Sequence, residues 1–454
     1  MCLLTPLFLK VPGMKRLFCS LVLLLFLSVG YVRASSVDIA VVKQADQQWI
    51  LSYQASEPVT KLAFVRNPDD TRTERWIPVS DEFHVIYSEG QEYLLRKDGA
   101  IFSEVSVRLT PTYTHLAKDY APFSPFSDGG VLIYTGRLFA CANACDDNSN
   151  QWQFSLQVPD NEHILIDGQT AGELALWTDS DNGMNVYVGS QTPLETQNVV
   201  AMVDPGLPEN MKHALDTDIP ELMLYFEQQL GKINGKKPVL FASYANVNGH
   251  SSQGGTLPNQ IFMHWNVNNL HRKTKDSKFL NDTLWFFAHE VAHLYQFSGD
   301  VELVGHDNEA WLHEGHADWL AAKALLVLYP DTDLYVKSKV ERAKTRCIEG
   351  LDKMTLGQAS TQGRFDLYYT CGLVIHHAVD KALQKHDSGD SASVWRTFSQ
   401  QAEQLGTGGI GVFLAVVQGN TSESFAKQIR LFVEKQQGNP EQAIEALMRA
   451  ALQQ

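Results

Sequence analysis

Two histidines with a glutamate between them are the residues of this chain best spaced to do chemistry. Residues 287–294 read Phe-Ala-His289-Glu290-Val-Ala-His293-Leu. On an α-helix, residues four apart lie one above the other on the same face, so His289 and His293 can reach one metal ion. Glu290, one position on, can address a water bound to that metal. Imidazole is a common zinc ligand, and this spacing with a glutamate general base is the pattern for zinc-assisted amide hydrolysis. A surface helix carrying two incidental histidines is the plain alternative. Two further features, met in order along the chain, weaken it.

The first is a third ligand in Trp311-Leu-His-Glu314-Gly-His-Ala-Asp318. Glu314 follows His293 by 21 positions, enough for a loop and half a helix to bring it back across the site. Two histidines and one glutamate leave the fourth zinc position for water. His306, His313 and His316 compete as third ligand. A three-histidine site is excluded, because it needs Gly and His three and six places after His293, where this chain has Gln296 and Gly299. Asp318, one turn beyond Glu314, either holds the outer ring nitrogen of a zinc histidine or sits on a solvated helix face. The second feature is Asp366-Leu-Tyr368-Tyr369-Thr-Cys-Gly372. A phenol near the zinc would donate a hydrogen bond to an oxyanion, although spacing alone favours a core tyrosine.

With these motifs in place, residues from about 204 to 380 resemble the gluzincin metallopeptidases, the superfamily of thermolysin, aminopeptidase N, leukotriene hydrolase and glycyl aminopeptidase. The resemblance rests on His289-Glu290-x-x-His293, on Trp311-Leu-His-Glu314-Gly (Trp-Leu-Asn-Glu-Gly in the aminopeptidase branch) and on Tyr369-x-x-Gly372. It implies a thermolysin-like, mainly helical catalytic domain with a β-rich domain before it. It also implies one zinc per chain on His289, His293 and Glu314, with Glu290 as general base. Tyr369, rather than Tyr368, becomes the oxyanion donor, and the substrate a peptide or protein. One departure stands out. The aminopeptidase branch carries Gly-x-Met-Glu-Asn on an edge strand, and its glutamate grips the substrate's free amino terminus. The matching stretch here is Gly255-Thr256-Leu257-Pro258-Asn259, with Pro258 in the glutamate's place. Proline brings no charge and no backbone donor. The strand can still pair with an extended peptide, so Gly255 to Asn259 stay substrate-binding candidates. Endopeptidase action gains weight, or amine recognition passes to another acid such as Asp300 or Glu302. The alternatives to an exported zinc peptidase are a zinc hydrolase acting on a non-peptide bond and a catalytically silent binding protein of the same fold.

The elements that must position these residues fall into two regions. From Ser35 to about Tyr187, short runs rich in β-branched and aromatic residues (Val37-Asp-Ile-Ala-Val, Trp49-Ile-Leu-Ser-Tyr, Lys61-Leu-Ala-Phe-Val, Val105-Ser-Val-Arg-Leu, Val131-Leu-Ile-Tyr) alternate with turn residues. This predicts an all-β, sandwich-like domain over 35–203, in which Trp49 and Trp76 pack in the core. The catalytic domain is expected over 204–454, making the whole a multidomain α+β chain. A helix is predicted from His213 to Leu230, bent or restarted at Pro220. Strands follow at Lys237-Pro-Val-Leu-Phe-Ala-Ser-Tyr and Gln260-Ile-Phe-Met-His-Trp. From Asn281 on, the pattern is helical. Asn281 or Asp282 is placed to cap the motif helix and Gly299 to close it. Asp307 or Asn308 is placed to cap the next helix and Pro330 to end it. His84 and His376-His377 read as a strand surface and as helical packing. Amphipathic helices over 391–454 complete the catalytic domain.

The chain has 454 residues, 44% of them hydrophobic, which excludes a disordered or collagen-like polymer. Its net charge of −15 disfavours nucleic acid and anionic lipid as partners. Lys15 and Arg16 precede a largely apolar run over 17–29, and Val32-Arg33-Ala34 then places small residues on either side of Arg33, where a signal peptidase needs them. This predicts a secretory signal over 1–34 and no membrane span once it is cleaved, because the run is short for the ~20 residues a spanning helix needs. Cys2 and Cys19 would leave with it. Four cysteines remain in an exported, periplasmic or extracellular chain, which predicts two disulfides. Three pairings are open, and Cys141–Cys145 with Cys347–Cys371 is the simplest. Oligomeric state is not legible.

Overall fold

The computed structural model describes residues 36–116, 119–146, 151–233, 235–245, 249–296, 301 and 303–452. The signal segment, Gly299, Asp300 and Glu302 lie outside the described residues. A β-sheet region is followed by a helical one, as expected.

Three sheets build the first region. A six-stranded sheet runs in the order Leu174–Ser180, Gln151–Gln157, Val37–Lys43, Trp49–Val59, Phe102–Leu109, Ile77–Pro78. A four-stranded sheet orders Ala140–Ala142, Lys61–Phe64, Gln91–Arg96 and Phe83–Ser88. A five-stranded sheet orders Gln169–Ala171, His163–Ile166, Asn185–Gly189, Val131–Tyr134 and Phe123–Pro125. Alternation does the sorting, because successive strand side chains face opposite ways. Val37, Ile39 and Val41 point into a shared core while Asp38 and Ala40 point away. Trp49 and Trp76 lie in that core, at 2% and 3% exposure, so neither lines a groove.

The fourth sheet takes in residues on both sides of the boundary expected at 203/204. Its order is Leu194–Glu195, Val200–Val203, Val239–Tyr244, Gln260–Val267 and His250–Leu257. His250–Leu257 is paired on one side alone, antiparallel to Gln260–Val267, and forms the sheet's edge. A small core of Phe126, Leu132 and Tyr187 against Met202, Phe241 and Phe262 joins this sheet to the five-stranded one.

Helices cover the sheet's other side. The helix expected from His213 begins at Glu209 and runs through Pro220 to Leu230 as one element. The motif helix spans Ser277–Gln296. Its start corrects the expected caps: Asn281 and Asp282 lie inside it. The carboxylate that receives a first-turn N–H is that of Asp276, from Lys278 at 2.9 Å. Asp282 instead accepts from the Tyr335 hydroxyl at 2.7 Å. The next helix, Trp311–Leu328, also departs from expectation. A 3₁₀ turn at Asp307–Glu309 leads into it, and Ala310 stands at its N-cap without a side-chain hydrogen bond. Asp333–Leu351 and Asp366–Lys385 follow. Four more helices, from Ser391 to Leu452, share the same core. Among the described residues the disulfides are Cys141–Cys145 and Cys347–Cys371, the latter tying Asp333–Leu351 to Asp366–Lys385.

Candidate metal centre

Two helices bring the motif residues to one point. His289 and His293 come from the motif helix and Glu314 from the first turn of Trp311–Leu328. Glu314 Oε2 lies 3.2 Å from both His289 Nε2 and His293 Nε2, and the two nitrogens are 2.9 Å apart. With zinc–ligand bonds of about 2.0–2.1 Å, the edges of a zinc tetrahedron are about 3.4 Å long. The donor set and its spacing therefore fit that ion. Among the described residues, this is the one cluster of three such donors within 4.8 Å of one another.

The charges around the cluster favour a cation at its centre. Burial opposes charge on His289, but hydrogen bonds to Asp318 and Glu314 outweigh it and hold its pKa well above the usual imidazole range. Burial likewise opposes charge on Glu314. The charge of His293 and hydrogen bonds from His289, His293 and His313 prevail, and keep its carboxyl well below the usual carboxylate range. Glu290 is shifted the other way, its pKa raised by burial against the lowering effect of both histidines.

The outer contacts aim the donors. His289 Nδ1 donates to Asp318 Oδ1 at 3.0 Å, and the Trp285 indole donates to the same oxygen at 2.7 Å. Asp318 is thus on the histidine side and not on a solvated face. His293 Nδ1 donates to Gln296 Oε1 at 2.6 Å. With both Nδ1 protons engaged, Nε2 is the atom each ring would offer a metal, in place of the proton it shares with Glu314. Gln296 is itself held, donating to the His313 carbonyl at 3.1 Å and to His316 Nδ1 at 2.8 Å. Glu290 Oε2 accepts from Thr256 Oγ1 at 2.7 Å.

The tyrosines divide clearly. Tyr368 is 2% exposed, and its hydroxyl accepts the Ser360 N–H at 3.0 Å. Tyr369 is 37% exposed and its ring lies 5.6 Å from that of His289. Burial of the phenol, then the charges of Glu314, Glu290 and Asp318, hold its pKa well above the ordinary value, so it is a neutral donor.

The competing histidines do not join the three-donor cluster. His313 Nε2 is 3.3 Å from the other Glu314 oxygen, Oε1. His316 stacks on Trp395 at 4.4 Å, and His306 is exposed. His376 is buried and His377 stacks on Trp319, both in packing roles.

Of the edge-strand stretch, only Thr256 reaches the motif residues. Gly255 lies against the Tyr120 hydroxyl. Leu257 is buried between the sheets. Pro258 and Asn259 form the turn, where Asn259 has φ 57° and donates to the Lys237 carbonyl at 3.0 Å. Sequence reasoning missed Gln296 and Trp285 as orienting groups. Their spacing was a usable signal: Gln296 is three after His293 and Trp285 four before His289, on the same helix face. The role of Thr256 toward Glu290 had no such signal, because it comes from a different element.

No protein-family profile matches the sequence, and no curated protein sequence matches it. Solved structures do. The chain superposes on an aminopeptidase N family protein from Idiomarina loihiensis with TM-score 0.61 and 9% identity, over 88% of this chain and 76% of that one. It superposes on leukotriene A4 hydrolase from Saccharomyces cerevisiae with TM-score 0.51 and 11% identity, over 89% and 68%. An M1 zinc metallopeptidase from Deinococcus radiodurans gives TM-score 0.50 and 13% identity, over 88% and 92%. These likenesses assign the gluzincin, M1-type fold to the chain.

Proposed function

We propose that this chain is an exported zinc-dependent peptidase that hydrolyses peptide bonds, with one zinc held by His289, His293 and Glu314. The observation that carries the reading is the convergence of those three donors beside Glu290, inside an M1-type fold. When bound, the zinc supplies Lewis acidity and lowers the pKa of a water. Glu290, held by Thr256, takes the proton of the attacking water and returns it to the leaving amine. The Tyr369 phenol, neutral and facing His289, donates a hydrogen bond to the oxyanion. Asp318, Trp285 and Gln296 keep the two imidazoles in one tautomer and orientation. The catalytic domain is taken as residues 204–454, the β-rich domain as 35–203 and the signal as 1–34. Two disulfides suit an oxidising compartment, and no helix among the described residues is long and apolar enough to cross a membrane.

The test begins with zinc content of the mature chain, starting at Ser35, beside Glu314→Ala. About one zinc per wild-type chain, weakened in the variant, is expected. Glu290→Gln should keep the zinc and lose peptide hydrolysis. A Glu290→Gln protein cleaving at the wild-type rate would overturn the assignment, as would a metal-replete wild type without zinc. Amino-terminal sequencing of the exported protein checks the signal, with Ser35 expected first.

A further inference from the structure

Tyr120, a residue of the β-rich half, reaches the edge of the metal centre. Beyond the strand Phe102–Leu109, Tyr113 and residues 119–121 come alongside the edge strand His250–Leu257 and its neighbour. The Tyr113 ring lies 4.5 Å from that of His264 in the neighbouring strand. Gln253, in the edge strand, accepts the Ala121 N–H at 2.7 Å and donates to the Asp119 carbonyl at 2.8 Å. This two-point clamp fixes the backbone on both sides of Tyr120. The Tyr120 ring then packs edge-on against Phe262 at 4.7 Å and Tyr134 at 5.4 Å.

The hydroxyl at the end of that ring rests on Gly255, where a Cβ would collide with it. The next residue along the strand is Thr256, which holds Glu290. The Tyr120 hydroxyl therefore lies one strand residue from the group that orients the proposed general base. Among the described residues it has no hydrogen-bond partner, and the residue keeps some exposure. Burial, with the charges of Glu290 and Glu314, keeps the phenol in its neutral form. A hydroxyl donor left without a partner, on a residue that keeps some exposure, is available to a ligand.

The neighbouring acids are already engaged. Asp119 meets Arg66 at 3.2 Å and Arg137 at 3.6 Å, while Asp318 and Glu314 hold the histidines. On this wall the described residues thus offer a neutral donor. A buried ammonium would need a carboxylate there.

We propose that Tyr120 is a substrate-binding residue whose hydroxyl donates to a peptide carbonyl on the amino side of the scissile bond, selecting internal or amino-acylated peptides over those with a free α-amine. This inference rests on the peptidase reading above. A carbonyl accepts the phenol's hydrogen bond, whereas an ammonium at the same place would gain a single neutral acceptor, the phenol oxygen, and no carboxylate among the described residues to offset its lost hydration. It adds no covalent step.

The test uses the zinc-loaded mature chain and one short peptide set in acetylated and free-amine forms. Binding is measured by calorimetry on Glu290→Gln, with and without Tyr120→Phe, and hydrolysis on the wild type and on Tyr120→Phe alone. Phenylalanine keeps the ring packing, so an unchanged melting temperature is expected. Tyr120→Phe should weaken binding of the acetylated peptides and raise their KM by about tenfold, the size of one neutral hydrogen bond. The free-amine forms should change little. Gly255→Ala, which displaces the hydroxyl, should act in the same direction. Unchanged binding and KM in Tyr120→Phe would overturn the role of Tyr120 and leave the peptidase reading intact. Wild-type preference for free amines would overturn the proposed substrate class. A wild type that neither binds nor cleaves any peptide would bring down the peptidase reading and this inference together.

Discussion

The Thr256 hydroxyl donates to Glu290 Oε2 across 2.7 Å, linking the edge strand to the motif helix. The same hydroxyl lies 3.1 Å from the Glu290 carbonyl, so its single proton faces both the side chain and the backbone of Glu290. Thr256→Val keeps the shape and removes this donor. Its expected effect is a fall in kcat of about ten- to a hundredfold, the range for one hydrogen bond to a charged group, with zinc content unchanged. Steady-state kinetics beside metal analysis checks it. An unchanged kcat would mean that Glu290 is aimed by its helix alone.

Asp318 collects two donors on one oxygen, the indole of Trp285 and Nδ1 of His289. Asp318→Ala frees the His289 ring to rotate and to change tautomer. Zinc affinity should drop by about 10–100-fold, the usual cost of losing such an outer partner. Competition against a chelator measures this directly. Trp285→Phe, which leaves the carboxylate in place, should show a smaller loss.

Gly315 and Gly372 lie where Trp311–Leu328 crosses Asp366–Lys385. A Cβ on Gly315 would run into the backbone of Gly372, and one on Gly372 would strike the Trp311 carbonyl and Gly315. This contact is the physical reason for glycine after Glu314 and three residues after Tyr369. Gly315→Ala should destabilise the fold by about 1–3 kcal/mol, as overpacking does. It should also weaken zinc binding, because Glu314 and Tyr369 move with their helices. Denaturant unfolding and metal titration of the same sample report the two effects.

Cys347–Cys371 closes a loop across a sequence separation of 24, whereas Cys141–Cys145 spans 4. Loop-closure entropy makes the longer bridge worth about 3 kcal/mol. Cys347→Ala with Cys371→Ala should lower the unfolding midpoint clearly, and the Cys141/Cys145 pair of substitutions should lower it less. Denaturant titration of the two double variants decides the order.

Burial lowers the pKa of His264 from 6.5 to about 3. Its Nδ1 meets Ser243 Oγ at 2.8 Å, while Nε2 is buried without a hydrogen-bond partner. The unfolded chain binds this proton at a higher pH than the folded one. Its contribution to stability is therefore complete above pH 6.5 and is lost as pH falls toward about 3. The melting temperature should decline below pH 6.5, and His264→Gln should flatten that decline. Calorimetric scans across the window test the slope.

The sequence by itself determined what lies within a single element. The helical repeat puts His289, Glu290 and His293 on adjoining faces of one helix, and alternation buries Val37, Ile39 and Val41 on one side of one strand. The parity and spacing of the cysteines pointed to the observed pairs. Local capping was less legible: Asn281, Asp282, Asp307 and Asn308 are all sound N-cap types, and packing decided where each helix starts. What the tertiary structure alone decided is every relation between elements. The choice of Glu314 over His313 or His316, the turn of Asp318 toward His289, and the split between Tyr368 and Tyr369 depend on how helices cross. The reach of Thr256 to Glu290 and of Tyr120 to Gly255 depends on a sheet edge and on a loop from the other half of the chain. Such contacts join residues far apart in sequence, and no local period encodes them, because their geometry is set by the close packing of whole elements against one another.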